Sequence, residues 1–378
     1  MHRRTFLKLG AVASGAFFVG GVGRTGQATV TAAQGMIPTV DQLVMTNVVD
    51  NVFDVFARGG QIGNLTVRRR GVTNPLGSGA QLLSEHGLAY HMMSQSGLEQ
   101  REILLDFALT GASLINNYQA LGIDPARADA LILSHGHNDH YGALPGLVPL
   151  VPRWAEHNLQ LHAGGEDTFC HRWVVAPDGQ RTDQGQLDRG LMESHGLAVM
   201  LSAQPAVVAD HAMTSGRIPR VAAFEMPPAT ARLEAGEAGS GCEPSLLSHF
   251  PPGTPEVEAQ PGEMVRDYFE GEHATVYHVK DRGLVVISSC GHAGIVNTVR
   301  HAQAVTGIEK VHAVVGGWHL APAPDDVVTA TVNALKDINP DYLIPMHCTG
   351  SNTISAVQRE LPGRLVMPST GTRVVFGA

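Results

Sequence analysis

The stretch Ser134-His135-Gly136-His137-Asn138-Asp139-His140-Tyr141-Gly142 places three histidines and one aspartate within six positions. Imidazole and carboxylate groups are the side chains that hold zinc and its first-row neighbours in proteins. The apolar run Ala130-Leu131-Ile132-Leu133 precedes this stretch and predicts a buried strand. The sequence therefore predicts a metal site on a loop at the end of a strand, where open α/β sheets usually keep their functional residues.

The spacing within this loop indicates how the side chains divide between metal ions. Residues two apart in an extended chain point to the same side, so His135 and His137 are expected to bind one ion together. Asp139 and His140 follow where the chain turns, and we expect them to reach a second ion beside the first. The alternative is a histidine-rich surface loop without metal. Four ligand-type residues behind an apolar strand favour the metal site.

The motif His-x-His-x-Asp-His resembles the signature of the metallo-β-lactamase-fold hydrolases, and further motifs extend this resemblance over about residues 42–376. Together they are similar to the subgroup called dihydropterin-ribofuranosyl-aminobenzene-phosphate synthase-like proteins. The resemblance implies an α/β fold, a four-layer αβ/βα sandwich with helices on both outer faces of two packed sheets. The further motifs are Ser84-Glu85-His86-Gly87-Leu88, Ile103-Leu104-Leu105-Asp106, Cys290-Gly-His-Ala-Gly-Ile-Val-Asn297, Val315-Gly-Gly-Trp-His-Leu320 and His347-Cys-Thr-Gly350.

The overall composition is that of an ordinary globular protein. The chain has 378 residues, of which 43% are hydrophobic and 16% charged. The net charge is −9, and Arg68-Arg69-Arg70 is the longest basic run, which argues against nucleic acid as a partner. We expect a small-molecule substrate, and the sequence leaves a homodimer open.

Residues 1–33 are predicted to be a targeting segment. Arg3-Arg4-Thr5-Phe6-Leu7-Lys8 resembles a twin-arginine signal, and small residues around 28–33 offer a cleavage site. The apolar part, residues 9–22, contains glycines and is shorter than the roughly 20 residues that span a bilayer, which disfavours a permanent anchor. The resemblance implies export in the folded state to the periplasm or cell exterior, without stable membrane insertion after signal removal.

Residues 34–378 are predicted to form a single domain with an irregular insertion at about 150–265, which would cover the cleft. Apolar periodicity predicts a helix over 111–121, with Leu114, Tyr118 and Leu121 on one face and Asn116-Asn117 on the other. The remaining predicted strands are 42–56, 88–93, 102–106, 275–279, 283–289, 311–317 and 343–346, and the remaining predicted helices are 295–305, 325–337 and 353–360.

Two further histidines are candidate ligands, because a pair of metal ions about 3.5–4 Å apart requires more ligands than one loop supplies. His292 and His347 each follow a predicted strand, and the alternative for both is a structural histidine. We predict zinc, with two ions, and manganese or iron as alternatives. The resemblance implies a bridging aspartate after a strand of the second half, but that strand ends in Ser289-Cys290. The sequence therefore does not decide whether Cys290 or His292 takes the place of that aspartate in the second metal site.

Other polar residues are candidates for the surroundings of the metals. The resemblance places Asp106 close to the site, where a carboxylate orients histidine ligands; the alternative is a helix N-cap. Glu85 and His86 are interpreted as substrate contacts or a proton relay, or as a solvated loop pair. His319 is expected to line the pocket and Trp318 to stack on an aromatic substrate, unless the pair belongs to the core.

The four cysteines, Cys170, Cys242, Cys290 and Cys348, permit disulfides in an oxidising compartment. Cys290 and Cys348 lie inside the site motifs, so the sequence favours no particular pairing.

These residues favour hydrolysis by a metal-activated hydroxide, with Asp139 orienting the nucleophile and His86 or His319 donating a proton to the leaving group. The sequence does not decide which bond is cleaved: the candidates are an ester or lactone, a phosphoester, a β-lactam amide and a carbon–halogen bond of an activated aromatic ring. A metal-binding or sensing protein without turnover is the alternative from another class. A di-iron redox protein is disfavoured because the second half lacks the aspartate.

Overall fold

The computed structural model describes residues 37–69, 81–236, 242 and 259–377. The predicted targeting segment, 1–33, lies outside these residues, so its prediction is not addressed by the structure. Within the described ranges, no helix is long and apolar enough to cross a membrane.

The described residues form twenty strands and eight α-helices. In chain order they are β1 Thr39–Val40, β2 Gln42–Val49, β3 Gly60–Ile62, β4 Leu65–Arg68, β5 Ala89–Ser96, β6 Glu99–Leu105, α1 Gly111–Leu121, β7 Ala130–Ile132, α2 Asn138–Tyr141, α3 Leu144–Leu147, α4 Pro152–Glu156, β8 Gln160–Ala163, β9 His171–Val175, β10 Arg181–Gly185, α5 Arg189–Ser194, β11 Ala198–Leu201, β12 Ala206–Val208, β13 Ala212–Thr214, β14 Ala231–Glu234, β15 Met264–Arg266, β16 Thr275–Val279, β17 Gly283–Ser288, α6 Ile295–Thr306, β18 Val311–Gly316, α7 Asp325–Ile338, β19 Tyr342–Pro345, α8 Ser351–Glu360 and β20 Arg373–Phe376.

Two large sheets carry the fold. The nine-stranded sheet has the order β11-β8-β7-β6-β5-β2-β20-β4-β3, and the seven-stranded sheet has the order β12-β13-β16-β17-β18-β19 with β1 beside β16. Strand β20 returns from the end of the chain to lie between β2 and β4, which ties the second half to the first. Strands β9, β10, β14 and β15 form a separate antiparallel sheet.

Three apolar clusters show the four layers. The central cluster lies between the sheets and contains Tyr90 and Met92 from one sheet and Tyr277 and Ile287 from the other, all buried. The second cluster joins α1 and neighbouring short helices to the nine-stranded sheet. The third joins α6, α7 and α8 to the seven-stranded sheet. The predicted α/β sandwich is therefore the observed fold, because each sheet buries one face against the other and one face against helices.

Parallel strands determine where the loops of interest lie. Strands β6 and β7 are parallel neighbours in one sheet, and β17, β18 and β19 are parallel neighbours in the other. The carboxyl ends of parallel strands meet at one edge of a sheet, so the residues that follow them are brought together. The motifs that begin after these strands are thereby collected from distant parts of the chain.

Most predicted elements outside 150–265 agree with the structure, but the strand predicted over 42–56 ends at Val49, and β3, β4 and β20 were not predicted. Helix α1 has the predicted bounds, and the predicted hairpin is formed by β16 and β17. Residues 150–265 differ from the prediction, because β8 and β11 belong to the nine-stranded sheet and β12 and β13 to the seven-stranded sheet. These strands have three or four residues each, too few for the alternation of apolar and polar residues to reveal them.

The cysteines also show a pairing that the sequence did not favour. Cys170 and Cys242 form a disulfide, whereas Cys290 and Cys348 are free and buried. The disulfide joins the start of β9 to the chain that follows β14.

The side chain of Asn117 corrects a detail of the helix prediction. Asn117 was expected on the outer face of α1, but it is fully buried. Its amide donates to the carbonyls of Val48 and Leu83, both at 2.8 Å, and accepts from the Leu83 backbone N–H at 2.8 Å. Asn117 follows Leu114 by three positions, so both lie on the same side of the helix.

Replacement of Asn117 by alanine should lower the free energy of unfolding by about 1–3 kcal/mol, because three backbone groups, of which the Val48 carbonyl is buried, lose their partner. Gln119→Ala, at an exposed position of the same helix, is the matched control and should change it by less than about 0.5 kcal/mol. Urea denaturation of the two variants measures the difference. Equal urea midpoints for the Asn117→Ala and Gln119→Ala variants would contradict the structural role of Asn117.

Candidate metal centre

Five histidine rings meet where the strand ends of the two sheets converge. The His135 ring lies 4.8 Å from that of His137, 4.3 Å from that of His140 and 4.9 Å from that of His292, measured between centroids. The His140 ring lies 5.0 Å from that of His347. These rings come from three loops, those after β7, β17 and β19. The structure thus brings together all the histidines that the sequence predicted as ligands.

The outer ring nitrogens of several histidines have no hydrogen-bond partner. The buried Nε2 atoms of His135, His140 and His347, and both ring nitrogens of His292, lack one within the described chain. The opposite nitrogens of three rings are held by protein oxygens, which fixes the orientation in which a metal ligand is presented. These contacts are His135 Nδ1 with Ser134 Oγ at 3.0 Å, His140 Nδ1 with Asp106 Oδ2 at 2.8 Å and His347 Nδ1 with Asn51 Oδ1 at 3.2 Å.

Among the described residues, four groups of potential ligand atoms converge, and two of them are Cys290 with His319 and Cys348, and His86 with Asp139 and His347. The other two groups each consist of a pair of histidines and the sulfur of Cys290. One group contains His135, Cys290 and His292, the other His140, Cys290 and His347, and the ligand atoms of each group lie within 4.8 Å of one another. Cys290 therefore occupies the common position between two pairs of histidines, where the sequence resemblance implied an aspartate. The donor set fits two adjacent divalent ions, since imidazole and thiolate both bind zinc.

Asp139 faces the second of these groups. Its Oδ2 lies 3.2 Å from His347 Nε2 and 3.7 Å from His140 Nε2. Asp139 begins the short helix α2 together with His140, so the turn of the chain after His137 directs both side chains to the same place. An ion held by His140 and His347 would also lie within reach of this carboxylate.

His137 lies in the cluster but in a different setting. Its ring packs edge-on against Phe269 at 5.3 Å and against His292 at 4.7 Å. Among the described residues, the groups of converging ligand atoms do not include it. The structure therefore places His137 beside the first ligand group, and its predicted role as a ligand stays a prediction.

Burial and neighbouring charges set the protonation of these residues. Burial lowers the pKa of His135 and His292, and lowers that of His137 to about 3, so these rings are neutral and able to bind a metal. Burial also opposes the charged form of His140, but the carboxylates of Asp139 and Asp106 outweigh it and raise the pKa of His140 to about 9. The second group thus attracts positive charge.

The role predicted for Asp106 agrees with its contacts. Asp106 is fully buried and accepts hydrogen bonds from the backbone N–H and hydroxyl of Ser134, both at 2.8 Å. Its second contact, with His140, orients that ring. The alternative, a helix N-cap, is excluded because Thr110 caps α1.

Glu85 has a different role from the predicted substrate contact. Its carboxylate accepts hydrogen bonds from the backbone N–H groups of Leu109 and Thr110 and from the hydroxyls of Thr110 and Ser113. The amino end of a helix has unpaired N–H groups and a positive partial charge, which attract a carboxylate. Glu85 therefore stabilises the start of α1, outside the cleft.

His86 and His319 both line a cleft of about 390 Å³ that opens onto the ligand groups. The His86 side chain is 66% exposed, and its Nε2 lies 3.5 Å from Asp139 Oδ2. The His319 ring lies 4.1 Å from that of His292, and its Nδ1 lies 3.6 Å from Cys290 Sγ. Their predicted role as proton donors stays a prediction. Trp318 is only 1% exposed and packs in the core, and its predicted stacking on a substrate stays a prediction.

Two residues that the sequence did not assign hold the loop after β17. Glu272 is buried and accepts hydrogen bonds from the backbone N–H groups of Gly291, His292 and Ala293. Arg220 donates to the carbonyl of His292 at 2.8 Å. Both lie far from His292 in sequence, so only the tertiary structure shows that they position it. His273, beside Glu272, contacts the carbonyl of Leu133 through its Nε2 at 3.0 Å and is structural.

Glu225 plays a similar part at the start of α6. Its carboxylate accepts from the backbone N–H groups of Val296 and Asn297, both at 2.8 Å. Burial raises the pKa of Glu225 to about 7, and the two hydrogen bonds only partly oppose this shift.

Comparison with known proteins agrees with the fold. A model of the metallo-beta-lactamase superfamily matches residues 97–200. The 7,8-dihydropterin-6-methyl-4-(beta-D-ribofuranosyl)-aminobenzene-5'-phosphate synthase of Methanocaldococcus jannaschii is 28% identical over 274 residues, which are 71% of this chain and 82% of the relative. The crystal structure of Tm1679, a metal-dependent hydrolase of the beta-lactamase superfamily, superposes with a TM-score of 0.61 at 19% identity, covering 88% of this chain and 98% of the other. At that identity, the superposition concerns the fold alone.

Replacement of Asp106 by asparagine should weaken metal binding by about 10- to 100-fold, because His140 loses the carboxylate that orients it. Glu85→Gln removes a carboxylate that is bound only to the start of α1, and it should leave metal affinity unchanged. Titration of metal-free protein with zinc, read by calorimetry, compares the two variants. Equal affinities would show that Asp106 does not act on the centre.

Stability should depend on pH through Glu225. Because folding raises its pKa from the usual 4.5 to about 7, its contribution to stability is complete below pH 4.5 and is lost as the pH rises through 7. Relative to Glu225→Gln, the wild-type free energy of unfolding should fall by roughly 2–3 kcal/mol between pH 5 and pH 8. Urea titrations at both pH values measure this, with Glu309→Gln, at an exposed position, as control. A constant difference between wild type and Glu225→Gln would contradict the assignment.

Proposed function

We propose that this protein, which has the metallo-β-lactamase fold, is a metal-dependent hydrolase of a small molecule. One observation supports the proposal above all others: buried imidazole nitrogens from three loops converge without hydrogen-bond partners within the described chain. Leaving several polar atoms buried and unpaired is costly, and a cation would satisfy them together.

The ligand groups indicate which residues would hold the metal. His135, His292 and Cys290 would hold one ion, and His140, His347 and Asp139 a second, with Cys290 within reach of both. When bound, zinc or a similar divalent ion lowers the pKa of water to about 7 and so supplies a nucleophile at neutral pH.

The protein's own groups would direct the reaction around that centre. Asp139 is placed to accept a hydrogen bond from the attacking water and so to orient it. His86 lies between Asp139 and solvent and is suited to carry a proton to the leaving group and then exchange it with water. His319, on the opposite side near Cys290, would donate a hydrogen bond to the oxygen on which charge develops.

We propose zinc as the metal, with two ions. Imidazole together with thiolate favours zinc over manganese or magnesium, which prefer oxygen ligands. A di-iron redox centre is disfavoured, because Asp139 is the one carboxylate in the converging ligand groups of the described residues. Metal analysis of protein purified without added ions distinguishes zinc from manganese and iron.

The relative from Methanocaldococcus jannaschii favours a second candidate, in which an acceptor other than water attacks the activated substrate. That protein is a synthase by name, and the similarity covers 82% of its length. A cytosolic pterin precursor would rarely meet an exported protein, so we place hydrolysis first. Halide removal from an activated aromatic ring and metal binding without turnover remain outcomes that a substrate screen separates.

We further propose that the mature protein acts in the periplasm or outside the cell. The twin-arginine-like segment at residues 3–8 supports export. The disulfide between Cys170 and Cys242 supports it independently, because such bonds persist mainly in oxidising compartments.

Removal of the metal should abolish hydrolysis, and returning zinc should restore it. The wild type, His292→Ala and the exposed-site control His157→Ala should be compared for metal content per chain and for hydrolysis of esters, lactones, phosphoesters, a β-lactam and a halogenated aromatic. His292→Ala should lose metal and activity together, while His157→Ala keeps both. Turnover by metal-free protein would sink the proposal, and bound metal without any turnover would favour a sensing role.

A further inference from the structure

A second cavity lies beside the metal cleft. It has a volume of about 380 Å³, which is within the range of small-molecule sites. We call it the apolar pocket, because most of its lining is hydrocarbon. The apolar lining residues are Phe224, Met226, Pro228, Trp318, Leu320, Pro322, Ala323, Pro324 and Val327.

The floor and mouth of the apolar pocket differ in exposure. Trp318 and Leu320 are buried, at 1% and 6% exposure, and belong to the core that supports α6 and α7. Met226 is 59% exposed, so a large hydrophobic side chain faces solvent at the mouth. Covering such surface with a ligand removes apolar area from water, which favours binding.

The apolar pocket adjoins the metal cleft. His292, His319, Pro228 and Pro322 line both cavities. His292 belongs to the first ligand group, so a molecule with one end at the metal centre can place its other end in the apolar pocket. No lysine or arginine lines this pocket among the described residues, and the carboxylate of Glu225 is bound to the backbone at the start of α6.

We propose that the apolar pocket binds the hydrocarbon part of the substrate while its reactive carbonyl lies at the metal centre. The substrate is then a carboxylic ester or lactone with a neutral, apolar acyl or aryl group. This inference rests on the proposed function, because the metal centre must hold the polar end. The volume of the apolar pocket, its apolar lining and the histidines that it shares with the metal cleft together support this occupant.

A series of straight-chain carboxylates tests the proposal without relying on turnover. Butanoate, hexanoate, octanoate and decanoate resemble the acid product, with a carboxylate for the metal centre and a tail for the pocket. Calorimetric titration of protein with verified metal content should show affinity that rises by up to about fourfold for each added methylene. The rise should stop when the chain exceeds the pocket.

Two variants alter the pocket without touching the metal ligands. Ala323→Trp fills the apolar pocket. It should abolish the increase of carboxylate affinity with chain length and leave the affinity for butanoate unchanged. Met226→Asp puts a carboxylate at the exposed mouth and should reduce the rise, even if the tryptophan variant does not fold. Ala112→Trp, at an exposed position of α1, is the matched control and should behave as wild type.

The outcomes separate this inference from the proposed function. Two results would overturn the pocket assignment and leave the metal centre intact. One is carboxylate affinity that does not depend on chain length in the metal-loaded wild type. The other is an affinity that still rises with chain length in folded Ala323→Trp and Met226→Asp. Protein that retains no metal, shown by elemental analysis before any titration, would overturn both.

Discussion

The contact between the buried carboxylate of Asp106 and His140 is the interaction on which the candidate centre depends. Asp106 follows β6 and binds Ser134 and His140 from the loop after β7, so one side chain joins two strand ends. A buried ion pair of this kind gains little stability by itself, because both charges lose water. The pair instead orients the histidine ring, so that the Nε2 atom of His140 faces His347 and Asp139 and has no hydrogen-bond partner among the described residues.

The backbone carries strain at the same strand ends. Asp106, His319 and His347 have φ angles of 58°, 48° and 51°, a left-handed conformation that is unfavourable for residues other than glycine. Such residues persist only where surrounding contacts hold them, and they cluster at functional sites. His347 is held by the Asp50 carboxylate, which accepts its backbone N–H at 3.1 Å, and by Asn51. Each strained residue thus turns the chain sharply toward the cleft instead of continuing the strand direction.

The sequence predicts those features that depend on residues close together in the chain. The candidate ligands between His135 and His140 lie within six consecutive residues. The apolar face of α1 is likewise visible within its eleven residues. The supporting contacts could not be predicted, because Glu272 and Arg220 reach the His292 loop from other elements. A carboxylate next to a strand can also have more than one role, and only the tertiary structure shows that Glu85 binds the start of a helix and Asp106 a histidine.

The shared position of Cys290 gives the centre its chemical character. An aspartate there would supply a hard oxygen ligand suited to several divalent ions, whereas a thiolate narrows the choice to softer metals. Cys348 lies 3.1 Å away, sulfur to sulfur, and accepts the backbone N–H of His319 at 3.3 Å. The second thiol therefore connects the shared ligand to His319, one of the two histidines that line both cavities. If the apolar pocket binds the hydrocarbon part of the substrate, as we propose, discrimination between substrates comes from that pocket, which no lysine or arginine lines among the described residues.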